Sequence, residues 1–144
     1  MNEQSFLYEL KLTRCGTIAD RVPIDGPTKV MDLLRPLLED ADRELFVVLA
    51  LDARNRPIGT NIVSMGSLSA SLVHPREVFK FAILANANAL ILAHNHPSGD
   101  SEPSRDDTAL TKRLQQAGEI MGITILDHLI LGEDWTSLNE KGLI

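Results

Sequence analysis

A chain of 144 residues with 44% hydrophobic and 24% charged side chains can bury one core without staples, and its length points to one domain. A formal net charge of −6 argues against a dedicated duplex-binding module, because such binding rests on Lys and Arg neutralising phosphates. Cys15 stands alone, which excludes an intramolecular disulfide and a Cys-rich zinc site.

The first residues, MNEQSFLYELKLTR, lack the basic-then-apolar order of a signal peptide. No segment approaches the roughly 18 apolar residues of a membrane span. A soluble, cytoplasmic protein with no membrane partner is expected. Residues 6–12 alternate apolar and polar side chains, as a half-buried strand does. Residues 15–26 read as loop, so residues 1–26 form a strand-and-loop extension and residues 27–144 the domain. A first helix starts near Thr28, with Val30, Leu33, Leu34, Leu37 and Leu38 at helical spacing.

Residues 44–52 (ELFVVLALD) are a continuous apolar run of strand length, which suits a strand covered on both faces. A polar turn at 53–57 and a returning strand at 58–65 make a hairpin. Residues 66–73 read as loop with a short strand. Pro75 opens a second helix, with Val78, Phe79, Ala82 and Ile83 on its apolar face. A short buried strand follows at 89–93, then a turn-rich loop at 95–104. Residues 105–121 are amphipathic through Leu110, Leu114, Ala117 and Met121, and Gly122 ends that helix. A strand at 123–131 follows, and residues 135–138 pair back on it. This mixed order argues for an α/β fold, a three-layer α-β-α sandwich around a mixed sheet.

His94 and His96 stand two residues apart at the end of a strand, where alternation puts both on one face. Neutral imidazole is the commonest metal ligand, and catalytic zinc usually takes three protein ligands and leaves a fourth position to water. Asp107 lies eleven residues past His96, and the loop between them can fold back to bring it in as the third ligand. A plainer reading competes. Ser-Arg-Asp-Asp also has the form of a capping box, with Ser104 at the N-cap and Asp107 at the third helical position.

The spacing His94-Asn95-His96-Pro97, six residues, Ser104, two residues, Asp107 resembles the H-x-H-P-x6-S-x2-D core of the JAMM (JAB/MPN+) metalloprotease motif. The wider text, LVHPREVFKFAILANANALILAHNHPSGDSEPSRDD and ILDHLILG, resembles the RadC family, long labelled a DNA repair family. The resemblance covers residues 27–144. It implies the JAB/MPN, cytidine-deaminase-like fold. It also implies one zinc ion held by His94, His96 and Asp107, with Ser104 beside them. The family's upstream glutamate matches Glu44, fifty positions before His94. The residues alone do not separate Glu44 from Glu39, and Glu77 is the next candidate. Family members usually carry an N-terminal helix-hairpin-helix region, whereas about 27 residues precede the shared stretch here, so a stand-alone JAB domain is expected.

The chemistry implied is hydrolysis of a peptide, isopeptide or other amide bond, with Glu44 as general acid/base and Ser104 donating to the oxyanion. Asp127 and His128, a polar pair inside an apolar strand, are candidates for supporting a ligand imidazole, against the plainer reading of a satisfied buried pair. Two other functions compete: a DNA-associated protein, such as a metal-dependent nuclease, and a non-catalytic MPN scaffold. Nucleic acid as a partner is disfavoured by the net charge, while a homo-oligomer through a sheet edge or the helix at Pro75 stays open. A zinc nucleobase deaminase would need H-x-E and P-C-x-x-C, and a single cysteine outside the motif excludes that pattern.

Overall fold

The computed structural model describes residues 2–18, 20–66 and 73–144. In chain order the elements are α1 (Pro27–Leu38), β1 (Leu45–Leu51), β2 (Pro57–Met65), α2 (Pro75–Leu84), β3 (Ala89–Asn95), α3 (Arg105–Met121), β4 (Thr124–Leu131) and β5 (Trp135–Ser137). The strands form one mixed sheet in the order β2-β1-β3-β4-β5. β1 runs antiparallel to both β2 and β3, β3 and β4 are parallel across the α3 crossover, and β5 returns antiparallel on β4.

β1 is apolar throughout because both of its faces are covered. Phe46, Val48 and Ala50 pack with Val78, Phe79 and Ala82 of α2 and Leu110 and Leu114 of α3. Val47, Leu49 and Leu51 point the other way, onto Val30, Met31 and Leu34 of α1. Strand alternation thus divides one apolar run between two helical layers. The result is the expected three-layer sandwich, with α1 on one side and α2 and α3 on the other.

Two local readings change, and a third falls largely outside the described residues. Residues 6–12 form no strand, and Phe6, Leu7, Tyr8 and Leu10 are exposed. Alternation says which face a strand would bury, but a strand also needs a neighbour for its N–H and C=O groups, and β1 to β5 pair only with one another. The short strand expected within 66–73 falls mainly on residues 67–72, outside the described residues. β3 extends two residues past the apolar run, which takes His94 and Asn95 into the sheet.

The register of β4 carries the largest consequence for the site. Leu90 pairs with Ile125 and Ile91 pairs with Asp127, so Leu126 is an extra residue. Such a bulge exchanges the faces that the following side chains take. Ile125 lies in the α2/α3 layer and Leu129 and Leu131 in the α1 layer. His128 therefore joins the α2/α3 side, where its ring meets Phe46 edge-on at 5.5 Å, and Asp127 joins the α1 side.

Candidate metal centre

His94 ends the sheet portion of the site. It pairs with Phe46 on β1 and Ile130 on β4, and it is buried. His96 follows on the same face, just beyond β3. Asp107 is the third residue of α3, whose first turn is fixed by the capping box. Ser104 Oγ accepts from the Asp107 backbone N–H at 3.0 Å, and Asp107 Oδ2 accepts from the Ser104 N–H at 2.8 Å. The cap and the metal-ligand readings of Asp107 coexist. Its Oδ1 lies 3.3 Å from His94 Nε2 and its Oδ2 lies 3.4 Å from His96 Nε2. One ligand atom from each of the three residues falls within 4.8 Å of the others.

The loop between His96 and Ser104 is pinned down on the β4–β5 turn. His96 N–H donates to the Leu131 carbonyl at 2.8 Å, and Glu133 N–H donates to the Gly99 carbonyl at 2.7 Å. Thr136 reaches Ser101 at 3.2 Å, and Lys141 pairs with Glu102 at 2.9 Å. A side chain at Gly132 would collide with the Gly99 carbonyl, so a glycine is needed there for the close approach. The loop does not seal the site. The His94 side chain is 2% exposed, but those of His96 and Asp107 are 18% and 14% exposed, so solvent reaches the group from their side.

Hydrogen-bond direction tests whether these residues fit a cation. The Asp107 backbone carbonyl can only accept, so Thr111 Oγ1 donates to it at 2.7 Å. The hydroxyl hydrogen is then spent, and His128 Nδ1, at 2.6 Å, must donate to Thr111. A neutral imidazole has one N–H, so His128 Nε2 accepts, and its partner at 2.7 Å is His94 Nδ1. His94 therefore carries its hydrogen on Nδ1 and leaves Nε2 bare. His96 reaches the same state separately, because its Nδ1 donates to the Asp100 carbonyl at 2.7 Å. The two bare Nε2 atoms face each other at 2.9 Å, beside both oxygens of Asp107. With the rings neutral, four lone-pair atoms converge with no hydrogen among them. A cation satisfies that arrangement, and its donor set of two imidazoles and one carboxylate suits zinc.

The electrostatics agree. Burial drives the His128 imidazole well below its ordinary value, and a charge on His94 would lower it further, so His128 stays neutral as the relay requires. Burial works against the charged form of Asp107. When His94 is protonated, its hydrogen bond and charge, followed by the bonds from Ser104, outweigh burial and hold the carboxyl well below the usual range. Asp107 is thus held as a carboxylate, the form in which a carboxyl group can ligate a cation.

The other expected residues divide. Glu44 stands immediately before β1 and is partly buried. Continuing the Phe46–His94 register by two residues puts it opposite His96, at the same end of the sheet. His128 joins the site through His94. Asp127 does not. It accepts from the His128 and Asn139 backbone N–H groups at 2.7 and 3.1 Å and from Ser137 Oγ at 2.6 Å, on the other face of β4. Of its two readings, support of a ligand imidazole falls away and the plainer one holds: Asp127 is a satisfied buried residue that anchors the chain after β5. Thr111 was not anticipated, although its place four residues after Asp107 puts it on the same helix face.

The three layers and the His-His-Asp group define an α/β domain of JAB/MPN type with a candidate metal centre. The family model of the RadC-like JAB domain matches residues 24–143, and the chain belongs to that family. It is 52% identical over 125 residues to a UPF0758 protein of Desulforamulus reducens, covering 86% of this chain and 55% of the relative. It is 51% identical to one of Symbiobacterium thermophilum, with 86% and 53% covered. A third, from Rubrobacter xylanophilus, is 48% identical over 141 residues, with 96% and 62% covered. The chain thus spans between half and two thirds of the length of these relatives. No helix among the described residues is long and apolar enough to cross a membrane.

Proposed function

We propose that the protein is a zinc-dependent hydrolase of JAMM type that cleaves a peptide, isopeptide or other amide bond. The convergence of four lone-pair atoms at His94, His96 and Asp107, open to solvent on one side, carries this reading. Zinc, when bound, supplies a Lewis acid for the scissile carbonyl and lowers the pKa of water to about 7. The chain's own residues handle the protons. Glu44 takes the proton from the attacking water as the oxygen bonds to the carbonyl carbon. It then gives that proton to the departing nitrogen as the C–N bond breaks. Ser104 Oγ accepts within the cap, which leaves its hydrogen to donate to the oxyanion.

The test is hydrolysis of a mixed peptide library by zinc-loaded protein, with labelled DNA as a second substrate. Glu44→Gln is expected to keep zinc and lose about 10²-fold or more in rate. Full activity in Glu44→Gln would remove Glu44 from the role. Cleavage of the DNA and of no peptide would overturn the substrate class.

A further inference from the structure

Asn95, between the two histidines, points away from them by strand alternation. It is 4% exposed, yet its side chain is fully engaged with a segment fifty residues earlier. Its Oδ1 accepts from the Leu45 backbone N–H at 2.7 Å, and its Nδ2 donates to the Arg43 carbonyl at 3.0 Å. Those two groups belong to the peptide units on either side of the Glu44 Cα. The unit after Glu44 is held from its other end as well, because the Glu44 carbonyl accepts from Gly66 N–H at 2.9 Å.

The placement is specific. The paired register of β1 and β3 ends at Phe46–His94. Beyond it the Asn95 side chain bonds the segment that a further ladder pair would have held. One residue of β3 thus fixes Glu44, while the residues on either side of it, His94 and His96, contribute to the metal centre. An amide suits this task, since it offers one acceptor and one donor on the same planar group.

We infer that Asn95 is a positioning residue that clamps the backbone on both sides of Glu44 and so sets the Glu44 carboxylate relative to the metal centre. This rests on the reading of Glu44 as the proton carrier. The clamp makes no contact with the metal group, so its loss leaves zinc binding intact and changes only what Glu44 senses of it.

The experiment is a carboxyl-carbon NMR measurement of the Glu44 chemical shift at a fixed pH of about 7.5, where ligand imidazoles are neutral, with and without added zinc sulfate, in wild type and Asn95→Ala. The signal is assigned by its loss in Glu44→Gln. In wild type zinc moves the Glu44 carboxyl signal, as a positive charge near a carboxylate does. In Asn95→Ala the protein binds equal zinc, and the shift falls to roughly half or less. A role in stability alone would lower the melting temperature and leave the shift unchanged, and that result would overturn the clamp. No zinc-induced shift in wild type would overturn the Glu44 reading, and the clamp with it. Asn95→Asp is measured in parallel, so that misfolding of the alanine variant does not hide the answer. It keeps the shape and the acceptor for Leu45 and loses the donor to Arg43. Its added charge cancels in the difference with and without zinc.

Discussion

β4 carries two buried polar networks back to back, and they end differently. On the α1 face Asp127 takes three hydrogen bonds, from the His128 and Asn139 backbones and from Ser137 Oγ. Ser137 Oγ in turn accepts from Glu140 N–H at 3.1 Å, so the network closes on the chain it anchors. On the α2/α3 face the network runs from the Asp107 carbonyl through Thr111 and His128 to His94, and there it stops at a bare nitrogen. Both networks are polar, buried and centred on neighbouring residues. Burial and polarity therefore do not distinguish a candidate metal site from a purely structural network. The distinction lies in whether the hydrogen bonds close or leave lone pairs aimed at a common point.

The largest test of this contrast removes the open end. Tag-free wild-type protein, purified without chelator, is expected to hold about one zinc per chain by mass spectrometry, as a three-ligand site does. His94→Ala/His96→Ala is expected to hold none, and none after zinc is added back. Zinc retained in the double variant would place the metal elsewhere and dissolve the contrast.

A smaller effect is expected from the middle of the same network. Thr111→Val keeps the shape and removes the hydroxyl. His128 Nδ1–H then loses its acceptor, and His128 can move its hydrogen to Nε2. That hydrogen would face His94 Nδ1 and push the His94 hydrogen onto Nε2, the atom offered to a metal. Zinc affinity should fall about 10–100-fold in competition with a chromophoric chelator, the range seen when support of a ligand histidine is lost. Thr111→Ser keeps the hydroxyl and should stay near wild type. Equal affinity in Thr111→Val would mean that the relay does not set the His94 tautomer.

Much of the candidate metal group was legible in the sequence because it is local. His94, His96, Ser104 and Asp107 lie within one strand end, one loop and one helix cap, whose spacings follow from backbone geometry. Glu44 was not legible in that way. Its place depends on β1 pairing with β3, a contact across fifty residues, and only the family pattern selected it over Glu39. Asp127 and His128 could not be told apart, because the bulge at Leu126 decides their faces and the apolar pattern does not mark it. The alternation at 6–12 had the opposite weakness: a clear pattern, but no pairing partner in the sheet.

The closed network should answer to substitution in the opposite sense from the open one. Asp127→Asn preserves volume and one acceptor oxygen but replaces the other with an NH2 group facing Ser137 Oγ. The lost charge weakens all three bonds, two of them from the backbone, and hydrogen bonds to a charged group contribute about 1.5–3 kcal/mol each when removed outright. Since Ser137 can turn to accept from the new amide, a net loss of about 1–2 kcal/mol is expected in urea unfolding of the metal-free protein. Zinc affinity should not change, because no Asp127 bond reaches His94, His96 or Asp107; its bond to His128 goes to the backbone N–H, which leaves the ring tautomer alone. A drop in affinity as large as that of Thr111→Val would show that the two faces of β4 are coupled through the strand. The bulge, by fixing the pitch of the His128 ring, would then be the element that joins them.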